Sequence, residues 1–286
     1  MLLTDVRLPS RIGQQWQYSG IDCLERCNDK KHFASYPHAI DYTYNSRGFR
    51  DAEWPQSLTE LENCIWCVGD SFTVGIGSPH SHTWPSRLSH ITSSRTINVS
   101  LDGASNNWIA RMCERIAQEI NPKRLVVMWT YTERRELPDS SLTDEQRRYQ
   151  DVTATAEENL QNFWLCHQKT AALAPQAVHF CIPYFHSTWI RKQEIQKRWQ
   201  NVRDPTWPMA APDCVQALED LPQHIRDELH HLHHCYHSIK ESLYLQQLLQ
   251  NKKITTFEPW DLARDGHHFD IVTADWVAQQ AACCLG

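Results

Sequence analysis

From residue 64 onward, short apolar runs that end near glycine or proline alternate with longer amphipathic stretches. "CIWCVG" (Cys64 to Gly69) reads as a buried strand, and an amphipathic "SRLSHI" follows Trp84-Pro85. "TINVSL" (Thr96 to Leu101) is a second strand. Between Asn106 and Ile120 the residues Ile109, Met112, Cys113, Ile116 and Ile120 recur at helical spacing, and Asn-Pro then stops the run. "RLVVMWTY" predicts a third strand, residues 144–174 a helix, and "AVHFCIPY" a fourth strand ended by Pro183. "KKITTFEPW" predicts a fifth strand and "ADWVAQQAACCL" a closing helix. Strands that alternate with helices imply an α/β fold with a parallel sheet covered on both faces.

Two stretches break this alternation. Residues 1–60 are polar and aromatic without a strong period, and are expected to form an arm packed on a core domain spanning 61–286. Within the arm, "YTYNSRGFRDAEWP" reads as an extended segment with a turn at Gly48. Residues 186–249 are rich in Trp and His and are punctuated by Pro205, Pro208, Pro212 and Pro222. They are expected to form a lid-like insertion beside the carboxyl edge of the sheet, where open α/β sheets bind ligands.

Composition narrows the function classes. At 286 residues the chain can bury a sizeable core. Its formal charge of −6 argues against a general nucleic-acid binder, because phosphate binding is driven by Lys and Arg. No apolar stretch approaches the ~20 residues of a membrane span. Eleven cysteines with no secretion signal evident read as mostly reduced thiols, and a cytoplasmic protein is expected. Cys64 and Cys67 have C-x-x-C spacing, but on a strand positions i and i+3 face opposite ways and cannot share a metal. The histidines of "HIRDELHHLHHCYH" (His224 to His237) read as a pH-sensitive polar helix face; nothing beside them supports a catalytic metal. Trp66, Trp129 and Trp164 are expected in packing, with Trp189, Trp199 and Trp207 as the better ligand candidates.

The chemistry concentrates in two loops. "VGDSFTVG" places Ser71 just after the first strand, at the carboxyl edge of the sheet and the start of the next helix. Gly-Asp-Ser is also good turn chemistry, and a serine nucleophile needs a base with its own orienting group. "RDGHHFD" supplies a carboxylate and an imidazole at D-x-x-H spacing, Asp265 and His268, before the final helix. Parallel strands open both loops onto one edge. Asp70 is read as a turn-stabilising neighbour of the serine at the edge of a substrate pocket.

These pieces resemble the SGNH (GDSL-type) hydrolases over roughly residues 40–282. "VGDSFTVG", "NSRGFRDAEWP", "INVSLDGASN" and "DGHH" match that family's blocks in order as well as in type. The resemblance implies a three-layer α/β/α sandwich with a mainly parallel, flavodoxin-like sheet. It also implies a serine esterase with Ser71 as nucleophile, His268 as base and Asp265 as orienter. The N–H groups of Ser71 and Gly103 would form the oxyanion hole, with Asn106 lining the substrate pocket. The expected substrate is an O-acyl or O-acetyl ester of a carbohydrate or another small ester, and the mechanism needs no metal or organic cofactor. An O-acyltransferase with the same triad, or a non-catalytic protein that retains the fold, are the alternatives. One block departs from the pattern. Where the family has Gly-x-Asn-Asp this chain has "WTYTERRE", without the asparagine that donates to the oxyanion. Thr130 or Thr132 would replace it through a hydroxyl, or a backbone N–H would serve instead. An unreplaced donor costs ~2.7–4 kcal/mol of transition-state stabilisation. Arg134 and Arg135 in the same stretch either hold an anionic group or form a solvated charged turn.

Overall fold

The computed structural model describes residues 6–24, 36, 38–139, 141–150, 154, 156–182, 253–257, 259 and 261–286. The chain divides into two compact units, Met1–Ile182 with Pro259–Gly286, and Pro183–Glu258. The first unit holds the sheet and every site residue named above. The expected insertion at 186–249, with its histidines and Trp189, Trp199 and Trp207, lies outside the described residues.

The arm contributes a short antiparallel pair, β1 (Gln15–Trp16) and β2 (Tyr42–Thr43). A short helix, α1 (Leu58–Asn63), leads into β3 (Ile65–Gly69). There follow α2 (Ser71–Val74), α3 (Trp84–Thr92), β4 (Thr96–Ser100), α4 (Asn106–Glu119) and β5 (Arg124–Trp129). The polar hairpin of β6 (Arg134–Glu136) and β7 (Arg148–Gln150) precedes α5 (Ala156–Leu173), β8 (Val178–Cys181) and α6 (Ile271–Leu285).

The central sheet runs in the order β4-β3-β5-β8 with every pairing parallel. All five residues of β3 and all five of β4 are buried, as expected for strands covered on both faces. α3 packs with α6 and α4 with α5, and the right-handed crossovers that parallel strands favour would put the two pairs on opposite faces. The result is a three-layer sandwich with flavodoxin-like strand order. Trp66 and Trp129 lie fully within its core.

Local chemistry explains where these elements start and stop. Ser105 caps α4 by accepting the Trp108 N–H at 3.0 Å, and Ile109, Met112, Cys113 and Ile116 form its buried stripe. Asn121 in the left-handed region and Pro122 end it. Cys64 and Cys67 are buried and free; Cys67 lies on β3, whereas Cys64 ends α1 just before that strand begins.

Two expectations are corrected. The helix predicted over 144–174 begins only at Ala156, and residues 148–150 form β7 instead. The preceding stretch offers no apolar stripe to bury. Its acids are drawn across α4, where Arg111 pairs with Glu136 at 2.5 Å and Asp144 at 2.9 Å, and the Trp108 indole donates to Asp144. The fifth strand expected over 252–260 is also missing from its described part, because residues 253–257 contain a turn and one bridge residue rather than a strand.

Candidate active site

Parallel pairing brings the ends of β3, β4 and β5 to one edge, and the sequence makes a tight turn there. A Cβ at Gly69 would lie 2.1 Å from Thr73 Oγ1 and 3.0 Å from the Met128 carbonyl, so only glycine fits. Asp70 caps α2 by accepting the Phe72 N–H at 3.0 Å. Ser71 is the first residue of that helix and is buried. Its N–H has no hydrogen-bond partner among the described residues, as expected for a first helical residue.

Ser71 Oγ lies 2.8 Å from His268 Nε2. His268 Nδ1 in turn lies 2.5 Å from Asp265 Oδ2. Asp265 Oδ1 accepts the N–H groups of His267 at 2.8 Å and His268 at 2.9 Å, so the carboxylate is held by both oxygens. All three side chains are buried, and the Phe72 ring packs 4.5 Å from that of His268. Burial pushes the Asp265 carboxyl up, but the His268 charge and the three hydrogen bonds outweigh it and bring its pKa down to about 2. Burial pushes His268 down, but Asp265 opposes it and raises the imidazole above its ordinary value, helped by the charges of Asp102 and Asp70.

The arm braces the loop that carries this pair. Arg264 donates its backbone N–H to the Gly77 carbonyl at 2.8 Å, and its guanidinium holds the buried Asp22 at 2.9 and 2.6 Å. The Tyr42 hydroxyl donates to Asp22 at 2.5 Å and accepts the Gly77 N–H at 2.8 Å. Gly77 has φ +79°, and a Cβ there would meet Ala263 Cβ at 2.9 Å and Asp265 Cγ at 3.0 Å. The buried Arg50 of "NSRGFR" donates to the carbonyls of Asp41, Val74, Gly75 and Ser78, fixing the chain that leaves α2. Pattern reasoning missed Asp22, Tyr42 and Arg264; the first two lie in an arm without period, and a single arginine before "DGHH" carries no pattern of its own.

The departing stretch has a different use from those considered. The Thr130 hydroxyl donates to Asp70 Oδ2 at 2.7 Å, so its proton is committed there rather than to a substrate. Arg134 donates to the same oxygen at 2.9 Å and stacks on Tyr131 at 4.9 Å. Its anionic partner is therefore Asp70, inside the protein. Burial raises the Asp70 pKa, while Arg134, Thr130 and the Phe72 N–H oppose that rise. Asn106 is also taken up internally: its amide donates to the carbonyls of Thr130 and Tyr131 and accepts the Thr130 N–H, tying the end of β5 to α4. Arg135 donates to Asn159 at 2.9 Å, away from the serine's partners. Thr132 stands half-buried in the turn before β6.

Gly103 lies in the turn after β4 with φ +71°, and its N–H has no partner among the described residues. Facing it is Arg148 of β7, which the sequence reading overlooked. Arg148 Nη1 would be 3.1 Å from a Cβ at Gly103. Its Nε donates to the Glu145 carbonyl, while its two terminal nitrogens have no hydrogen-bond partner among the described residues. Burial lowers its pKa, with the Asp102 charge opposing.

Comparisons with known proteins add the following. No family model matches the chain. No curated protein is similar to it at a significant level. Among solved structures, a lipolytic protein of the G-D-S-L family from Desulfitobacterium hafniense DCB-2 is similar at 12% identity and a TM-score of 0.37, over 76% of this chain and 98% of that one. A carbohydrate esterase family 2 enzyme with a carbohydrate-binding domain, from Corynascus thermopiles (Myceliophthora fergusii), is similar at 14% identity and a TM-score of 0.36, over 82% of this chain and 68% of that one. This chain is a flavodoxin-like three-layer α/β protein whose residues resemble the SGNH (GDSL-type) pattern at the blocks quoted above.

Proposed function

We propose that this protein is a serine hydrolase that cleaves an ester through Ser71, His268 and Asp265. The observation that carries the reading is the relay from Ser71 Oγ to His268 Nε2 at 2.8 Å and from His268 Nδ1 to Asp265 at 2.5 Å. The first serine after the first core strand and a loop near the far end of the chain meet in hydrogen-bonding order. A capped turn alone gives no reason for that meeting.

In this mechanism His268 Nε2 takes the Ser71 proton as Oγ attacks the ester carbonyl. Asp265 holds the imidazole by Nδ1 and stabilises the imidazolium. The oxyanion is received by the N–H groups of Ser71 and Gly103, with the guanidinium of Arg148 as third donor in place of the missing asparagine. The proton on Nε2 passes to the departing alkoxide. Water, deprotonated by His268, then releases the acid and restores Ser71. A carbohydrate O-acetyl group or another small ester is the substrate class that the resemblance implies. The altered block was the support for a non-catalytic protein, and its contacts with Asp70 give that block a use within the fold.

The test is turnover of a p-nitrophenyl ester series and of acetylated sugars by the wild type and by Ser71→Ala. Turnover by the wild type that the variant loses is the expected result. Equal rates in both proteins would remove Ser71 from the mechanism. An added sugar that diverts the acetyl group from free acetate would identify a transferase.

A further inference from the structure

Beside the triad, but outside its relay, three parts of the first unit converge on a second cluster. His38 of the arm, His82 of the 3-10 turn His80–His82, and Asp270 just before α6 each bring one ligand-type atom to within 4.8 Å of the others. The His38 and His82 rings meet edge to face at 4.7 Å, and His82 Nδ1 lies 3.8 Å from Asp270 Oδ1. That separation is too long for a hydrogen bond. His82 Nδ1 is buried and unpartnered among the described residues, a state that native structures seldom tolerate without an ion or water.

Asp270 is buried, and its side chain makes no capping bond to the helix that it precedes. Its oxygens are instead oriented by neighbours. The Ser78 hydroxyl donates to Oδ1 at 2.8 Å and the Tyr36 hydroxyl to Oδ2 at 2.8 Å. Outer hydrogen bonds of this kind fix a metal-binding carboxylate while leaving lone pairs for the ion.

We propose that His38, His82 and Asp270 form a binding site for a divalent transition ion of the zinc type. Two imidazole nitrogens and one carboxylate oxygen are a donor set that suits zinc, with water as a fourth ligand. Bond lengths of ~2.0–2.2 Å in a tetrahedron put ligand atoms ~3.4 Å apart, so the widest present gap has to close by about 1.4 Å. Rotation of the two imidazoles supplies that movement. The ion would tie the arm to the turn before α3 and to a residue two places after His268. The site does not depend on the hydrolase reading, and its test does not use activity.

The experiment is equilibrium dialysis of the full chain against zinc in the presence of a competing chelator, together with the absorption spectrum of the cobalt(II)-loaded protein. Cysteines and the histidines of residues 224–237 are competing ligands, so variants assign the site. His82→Ala should lower affinity at one equivalent by at least ~100-fold and abolish the tetrahedral cobalt spectrum. Tyr36→Phe leaves all three ligands in place, guards against misfolding of the first variant, and should lower affinity by ~10–100-fold. His230→Ala with His234→Ala should leave that equivalent unchanged. Circular dichroism establishes that each variant is folded. Zinc held with the same stoichiometry and affinity by the wild type, His82→Ala and Tyr36→Phe would overturn the proposal, as would a wild type that binds none.

Discussion

Replacing Asp265 with asparagine keeps the side chain's shape and removes its charge. The new carbonyl oxygen can still accept from the N–H groups of His267 and His268, which Oδ1 now holds at 2.8 and 2.9 Å. The amide nitrogen then faces His268 Nδ1, where Oδ2 stood at 2.5 Å. Facing a donor, Nδ1 must become the acceptor, and the imidazole proton moves to Nε2, the atom that has to receive the Ser71 proton. The exchange of charge for tautomer at this position in a serine triad costs about 10⁴ in turnover, or ~5.4 kcal/mol at 1.36 kcal/mol per decade. A second effect has the opposite appearance. Asp265 is what raises the His268 pKa against burial, so the wild-type rate should rise with pH through a value above the ordinary 6.5. In Asp265→Asn burial is opposed only by the lesser effects of the Asp102 and Asp70 charges, and the residual rate should rise at lower pH. The assay is kcat/KM for p-nitrophenyl acetate from about pH 5 to about pH 9 in both proteins. A loss smaller than ~10-fold with an unmoved acid limb would refute the role given to Asp265. The same contact stabilises the fold. Because the Asp265 pKa falls from 3.8 to about 2, its contribution is present above the unfolded value and is lost as pH drops through that window.

Three further outcomes follow from neighbouring contacts. Gly77→Ala puts a Cβ at 3.0 Å from Asp265 Cγ and strains a φ of +79°, so the fold should lose ~1–2 kcal/mol in urea titration and kcat should fall by ~10²-fold as the His268 loop shifts. Arg148→Met removes the third oxyanion donor and should cut kcat by ~10²–10³-fold with KM little changed; a change in KM alone would move Arg148 to ground-state binding. Arg134→Ala leaves the buried Asp70 carboxylate without its cation and should destabilise the protein by about 3 kcal/mol, while Asp70→Asn in the same chain should recover much of that loss.

How much of this was legible in the sequence depends on which force set each feature. The four sheet strands were legible because buried parallel strands are nearly continuous apolar runs, as in "CIWCVG" and "RLVVMWTY". The meeting of Ser71, Asp265 and His268 was legible because a parallel sheet brings their loops to one edge. The hairpin over 134–150 was not, because it follows ion pairs of Glu136 and Asp144 with Arg111, and charge pairing leaves no period in the chain. The uses of Thr130, Arg134 and Asn106 were misjudged for a related reason. Their residue types suit substrate contacts, and only three-dimensional placement reveals that Asp70 and the backbone at the end of β5 claim them first. Arg148 was hidden because a lone arginine in a polar stretch looks like any solvated charge until it faces Gly103.

The central claim is that Ser71 is a nucleophile activated by His268. It is tested most directly by treating the folded wild type, Ser71→Ala and His268→Ala with a fluorophosphonate and reading the intact masses. The account predicts one adduct on the wild type, mapped to Ser71, no adduct on Ser71→Ala, and labelling of His268→Ala slowed by at least ~10²-fold. A wild type that stays unlabelled, or equal labelling of all three proteins, would contradict it.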